Sequence, residues 1–300
     1  MAMDVLLIPL IVAAACALPI GGLARPLAVL SGLLVTASAV AAAWFGVGGG
    51  PVDAVGWAGP LGAWFAVGAD GFATALLMLT GVVFATGAAA SGRVDRPRAY
   101  FALWSLLQAA VAGVLVARDL ILFLAFWEAL LVPLALLVLW WGGADRRPAT
   151  LRLVLSWLTA DALLLAGIVA LGVGTRTFAI SDLAGYRLAA GSQVAFAVLL
   201  LAAFAMRLPL FPLHGWLPRA AAAAPAPVGL VLVAVVSKLA VYGIARIAVP
   251  LFPRGVADLA PLLVALAAIG ALYGALIATR QRDTRRLIAY ASLSQLDVIA

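Results

Sequence analysis

Five side chains in this sequence are of types that hold or pass protons, and all stand inside strongly apolar runs: Glu128, Asp161, Arg207, His214 and Lys238. An ionisable group near the centre of a lipid bilayer costs about 2.5 kcal/mol or more, so each is a site hypothesis by default. Glu128, the only glutamate, lies some eight residues into its run, roughly 12 Å deep at about 1.5 Å per residue. It is either a proton or ion relay or a structural carboxyl bonded to a neighbouring helix. Lys238 is the only lysine among nineteen cations. Arginine keeps its proton under ordinary conditions, whereas a desolvated lysine can release one, so a lone deep lysine points to titration. The alternative is a lysine that merely pairs with a carboxylate. Asp161 and Asp297 are buried by the same reasoning, either as sites or as neutralisers of a nearby cation. Arg246, at the end of the Lys238 run, is expected to extend to the membrane surface.

The segment from Arg207 to Pro218 (RLPLFPLHGWLP) is the least helix-like part of an apolar run. Pro209, Pro212 and Pro218 lack N–H groups, which frees the helix-type carbonyls of Ala205, Leu208 and His214. Such backbone at membrane depth is tolerated only when buried in protein or lining a wet cavity. A broken helix holding a cation and an imidazole is how transporters build midplane ion sites. A plain proline kink with a structurally paired Arg207 is the alternative.

The elements that must position these residues are membrane spans. Apolar residues make up 66% of the 300, charged residues 10%, and mean hydropathy is +1.19. A soluble domain carries roughly a quarter charged residues. Runs of about 20 apolar residues fall at 5–23, 27–47, 71–90, 99–117, 120–141, 149–173, 193–217, 228–249, 261–278 and 287–300. The predicted fold is therefore all-α, a polytopic transmembrane bundle of about ten helices with a broken seventh. The first run is read as an anchor helix, not a removed signal peptide. Residues 48–69, rich in Gly, Pro and Trp, are read as an interfacial loop with Trp57 and Trp64 at headgroup depth. The tenth run has only fourteen residues and no polar stop, which reads as the front part of a longer protein.

The basic residues orient the bundle. Odd-numbered loops carry Arg25, Arg93, Arg96, Arg98, Arg146, Arg147, Arg152, Arg219, Arg280, Arg282, Arg285 and Arg286; even loops carry Arg118, Arg176, Arg187 and Arg254. Twelve against four is a positive-inside pattern that puts the N-terminus outside and the odd loops in the cytoplasm of a multi-pass cell (inner) membrane protein. It also explains the net charge of +7 without nucleic acid. One cysteine, Cys16, and one histidine exclude an internal disulfide, an iron–sulfur cluster and a His-rich metal centre. The glycines at 46–50 and 172–174 lack the strand–helix context of a phosphate loop. No cofactor or metal is expected in this chain.

From about Asp70 onward the motifs resemble the antiporter-like membrane subunits shared by proton-pumping NADH–quinone oxidoreductase (complex I) and Mrp-type cation/proton antiporters, and within that family the subunit M type. The resemblance rests on FWEALLVP from Phe126, with Trp141-Gly142 after it, and AMRLPLFPLHGWLP from Ala205. It continues through Ala224-Pro225, SKLAVYG from Ser237, YGAL from Tyr273 and DTRRLIAYAS from Asp283. It implies a fold of roughly fourteen helices with two inverted repeats, of which this chain is the front part. Residues 1–69 would be N-terminal helices and loop, and 70–300 the proton-conducting domain. It implies a translocase subunit without a redox centre of its own. Partners would be the other membrane subunits, the redox arm, the lipid bilayer and the quinone of the complex.

By resemblance Glu128 matches the glutamate of the fifth helix, Lys238 the polar relay of the eighth, and Arg207 stands where a pumping lysine is usual. That arginine departs from the pattern, as do Arg219, Ala221 and Ala223 at usually acidic and histidine positions, Gln295 and Asp297 near the end, and Asp161 at a usually small position. The expectation is that Asp161 partners Arg207, while Glu128 and Lys238 meet and exchange a proton. An Mrp-type antiporter, a membrane-bound hydrogenase subunit and a non-pumping structural subunit are the competing readings.

Overall fold

A computed structural model of the chain describes residues 2–19, 21–45, 53–58, 63–186 and 188–299. Helix α1 (Ala2–Ala17) and helix α2 (Ala24–Trp44) precede a hairpin of β1 (Asp53–Ala58) and β2 (Ala63–Val67). Then come α3 (Gly71–Ala90), α4 (Pro97–Val116), α5 (Leu120–Trp141) and α6 (Arg146–Thr175). The seventh helix is in two pieces, α7a (Ala190–Arg207) and α7b (Leu217–Ala223). Helices α8 (Ala226–Leu251), α9 (Pro253–Thr279) and α10 (Thr284–Ile299) complete the order. Among the described residues eight helices are long and apolar enough to cross a membrane, with α1 a shorter apolar one. With α10 at the last expected position, the multi-span bundle and its broken seventh helix are as the sequence predicts.

Local chemistry explains where the helices begin. Asp70 caps α3 by accepting from the Ala73 N–H at 2.8 Å, and Asp119 caps α5 by accepting from Ile121 and Leu122 at 2.8 and 3.2 Å. Pro97 opens α4, where its missing N–H would have had no partner. Helices α2 and α3 approach closely because small residues face each other. A Cβ on Gly32 would stand 2.5 Å from the Ala85 nitrogen, and one on Gly81 2.6 Å from the Gly32 carbonyl.

The loops sort onto two faces. Loop 2 (the hairpin), loop 4 and loop 6 hydrogen-bond to one another: Arg118 N–H to Ala66, Leu120 N–H to Phe178 and Ile180 N–H to Arg118. Loop 8 joins them through Arg254 N–H to Gln193 at 3.2 Å. On the other face Arg25 donates to the Ala89 carbonyl, Trp141 to Asp95 at 2.6 Å, Gly143 to Ala223 at 2.8 Å and Arg285 to Ala224 at 3.2 Å. Odd loops therefore bond to odd and even to even, the parity that the arginine count requires. Arg187 and the glycines at 46–50 lie outside the described residues.

Two expectations change. The segment read as an interfacial loop holds an antiparallel hairpin, with Asp53 opposite Val67 and a register break between Gly56 and Ala58. Trp64 is exposed there, and the side chain of Trp57 lies outside the described residues. Arg246 does not simply extend to the surface. It pairs with the capping residue Asp70 at 3.1 Å, beside Arg118 at 3.6 Å, on the even-loop face.

Candidate functional site

Helix α7a stops at Arg207 because Pro209 and Pro212 cannot donate, yet the carbonyls there find other partners. The Leu210 N–H bonds to Ala205 at 2.9 Å, the Trp216 indole to Met206 at 2.8 Å, and Leu217 N–H to His214. The carbonyls of Ala205 and His214, which the prolines free from helical bonds, are thus satisfied by the turn itself. This fixes a tight break in which Arg207 is buried while the Trp216 indole reaches back to the last turn of α7a.

Arg207 meets Asp161 of α6. Its Nε donates to the carboxylate at 3.0 Å and its Nη2 reaches both oxygens at 2.6 Å. Both side chains are 3% exposed. The Trp127 indole of α5 donates to Asp161 at 3.0 Å, and the Trp127 carbonyl accepts weakly from Arg207 at 3.4 Å. The guanidinium carbon lies 3.8 Å from the centre of the Trp157 ring and 4.7 Å from that of Trp127. Trp216 packs edge-on against Trp157. A buried ion pair survives only with good geometry and satisfied neighbours, and here the planar guanidinium has a two-point carboxylate and aromatic faces to rest on.

Glu128, one residue beyond Trp127 on α5, joins this cluster. Its half-buried carboxyl has Asp161 and Arg207 as its charged neighbours. Two carboxyls beside one fixed cation are not both ionised at low cost, because each negative charge disfavours the other. With one proton the three groups are neutral together; without it they carry one excess negative charge.

Lys238 stands apart. Its ammonium donates to the Val233 carbonyl at 3.2 Å, five residues back along α8. A wide π-type turn at Leu232–Val236 places it there, and a second follows at Ile244–Ala248. Beside it is a pocket of about 10 Å³ bounded by Leu76, Thr80 and Leu115, room for about one water. The expected direct meeting of Glu128 with Lys238 is therefore corrected: Glu128 has Asp161 and Arg207 as its charged neighbours. The π-type turn, invisible in the apolar pattern, changes the direction in which Lys238 points.

His214 is on the turn between α7a and α7b, half-buried, stacked on Phe211 at 5.6 Å and tilted against Tyr273 of α9 at 5.0 Å. It belongs to a different neighbourhood, shared with Asp297. Sequence reasoning missed Trp127, Trp157 and Trp216. The available signal was position: tryptophans gather at membrane interfaces, and Trp127 and Trp157 lie well inside their helices.

The bundle defines a class: a polytopic membrane protein with a charge cluster held at the break of one spanning helix. Residues 117–299 match the family described as NADH:quinone oxidoreductase/Mrp antiporter, TM, and the chain belongs to that family. It is 36% identical over 252 residues to NAD(P)H-quinone oxidoreductase chain 4 2 of Microcystis aeruginosa, a match covering 83% of this chain and 46% of that one. The chain thus spans about half the length of the curated relatives it matches. It superposes on a chain of respiratory complex I from Thermus thermophilus with a TM-score of 0.92 at 30% identity, over 99% of this chain and 63% of that one. A chain of an archaeal membrane-bound sulfane sulfur reductase gives a TM-score of 0.88 at 25% identity, over 99% and 63%.

Proposed function

We propose that this chain is a proton-translocating membrane subunit, of the subunit M type, in a respiratory NADH–quinone oxidoreductase. The observation that carries the reading is the buried Arg207–Asp161 pair with the half-buried Glu128 beside it at the helix break, in a chain of this family. Arg207 supplies a fixed positive charge that does not itself exchange. Asp161, held at two points by Arg207, is the less mobile carboxyl, and Glu128 takes and gives the proton. Unit charges about 4 Å apart interact by roughly 4 kcal/mol at an effective dielectric of 20. A small change in the distance from Glu128 to Arg207 therefore loads or unloads the proton. Lys238, with its own single-water pocket, is the next station, reached through water and not by direct contact. Its partners would be the neighbouring membrane subunits and a redox arm that reduces quinone, in a cell membrane with the N-terminus outside.

Lys238→Met in the assembled complex, reconstituted in liposomes, tests the assignment. Proton pumping should fall at least tenfold. Full pumping alongside normal quinone reduction rejects the role of Lys238.

One observation favours a second reading, a non-pumping subunit that anchors a redox arm: Arg207 is so fully paired and stacked that nothing at position 207 exchanges a proton. Under that reading no single substitution in the cluster changes pumping per quinone.

A further inference from the structure

Away from the arginine cluster, the contact of α9, α10 and the broken turn buries a second acid. Asp297 is 1% exposed, and neither carboxyl oxygen has a hydrogen-bond partner among the described residues. Both oxygens are closed off from the surface. An unpaired carboxylate in such a place is expensive, and in practice the group neutralises. Space for it is made by Gly270 of α9: a Cβ there would collide with the Asp297 carboxyl and lie 3.1 Å from the Phe211 side chain. Phe211 in turn stacks on His214, whose Nδ1 is also buried without a partner. Two orphaned proton-holding groups thus lie beside Phe211, Asp297 towards its Cβ and His214 on its ring.

A row of side chains leads outward from them. Tyr273, one turn beyond Gly270 on α9, touches both His214 and Phe211. The electrostatic neighbours of Tyr290 on α10 are Tyr273, Arg286 and Arg219. Tyr290, Arg286 and Arg219 also line a cavity of about 590 Å³ on the odd-loop face, together with Asp145, Gln281 and Asp283. Also packed on α10 are α7b, which carries Arg219, and the wide turn of α8, which Lys238 follows and to which it bonds back at Val233.

We propose that Asp297 is a proton-holding station in its own right, fed from the odd-loop cavity through Tyr290, Tyr273 and His214. This deepens the proposed function and rests on it for the purpose of the station, though not for its existence. The step is a simple exchange that requires the two groups to close up, since at rest neither has a hydrogen-bond partner: the Asp297 carboxyl then gives its proton to the free Nδ1 of His214, leaving a carboxylate and an imidazolium. The reverse transfer reloads it, with Tyr273 and Tyr290 as hydroxyl donors and acceptors on the way to the cavity.

Infrared spectroscopy of the assembled complex, in ordinary and heavy water, tests the station. Asp297→Asn keeps the shape and should delete one protonated-carboxyl band. In the wild type that band should shift in heavy water, and His214→Gln should slow the shift at least tenfold without removing the band. An unchanged spectrum in Asp297→Asn overturns the station, and a shift as fast in His214→Gln overturns the route. If the band behaves as stated while the wild-type complex moves no protons, the pump reading fails and the station stands. Asp297→Asn is also expected to lower pumping about tenfold; a lost band with full pumping removes the station from the pumping path.

Discussion

Two cations inside the helices of this protein, the buried Arg207 and the half-buried Lys238, are built in opposite ways. Arg207 has a carboxylate at two points, a carbonyl and two indole faces around it, supplied by two other helices. Lys238 has one carbonyl of its own helix and space for about one water. The first arrangement fixes a charge and makes it part of the fold. The second leaves an ammonium that is supported yet lightly held. The difference teaches that burial alone does not mark a titrating group: the number of partners given up when the proton leaves decides it.

The largest effect that separates the two concerns stability. Arg207→Leu strands Asp161 without its counter-charge and should lower stability by about 3–5 kcal/mol, read as thermal unfolding in detergent. Adding Asp161→Leu should recover most of that loss; a double variant as unstable as the single one breaks the account of the pair. Next, Trp157→Leu removes the ring 3.8 Å from the guanidinium and should cost about 2 kcal/mol for a desolvated cation–π contact, plus the lost aromatic volume. A Trp157→Leu protein as stable as the wild type would mean that stacking contributes nothing. The smallest stability effect is expected at the other cation. Lys238→Met keeps the stem and should change stability by less than about 1 kcal/mol, although it is the change expected to reduce pumping. A large loss of stability there would make Lys238 a second structural cation and erase the contrast.

Much of this is legible in the sequence, because in lipid the apolar runs and arginine placement are direct consequences of solvation. The spans and the parity of their loops follow from those two signals, and the break follows from Pro209, Pro212 and Pro218. The pairing of Asp161 with Arg207 follows from charge balance, since a fixed guanidinium at depth needs an anion. Glu128 is legible as an acid inside a span, though the structure leaves it half-buried and its neighbour is not legible. Depth along a helix is readable from residue number, whereas the direction a side chain faces depends on the helix staying regular. The extra residue in the π-type turn before Lys238 rotates the remainder of the helix by roughly 100°, and nothing in the sequence Leu-Val-Ala-Val-Val announces it. The hairpin is hidden for a related reason: two strands of five and six residues with a register break give too short an alternation to stand out.

The central claim is that a single exchangeable proton sits between Glu128 and Asp161 under the fixed charge of Arg207. It is tested most directly by counting protons moved per quinone reduced in liposomes carrying the Glu128→Gln complex. The amide has the same shape and cannot exchange a proton, so the account predicts a ratio reduced by the full contribution of this subunit while quinone reduction continues. A ratio equal to that of the wild type would contradict it.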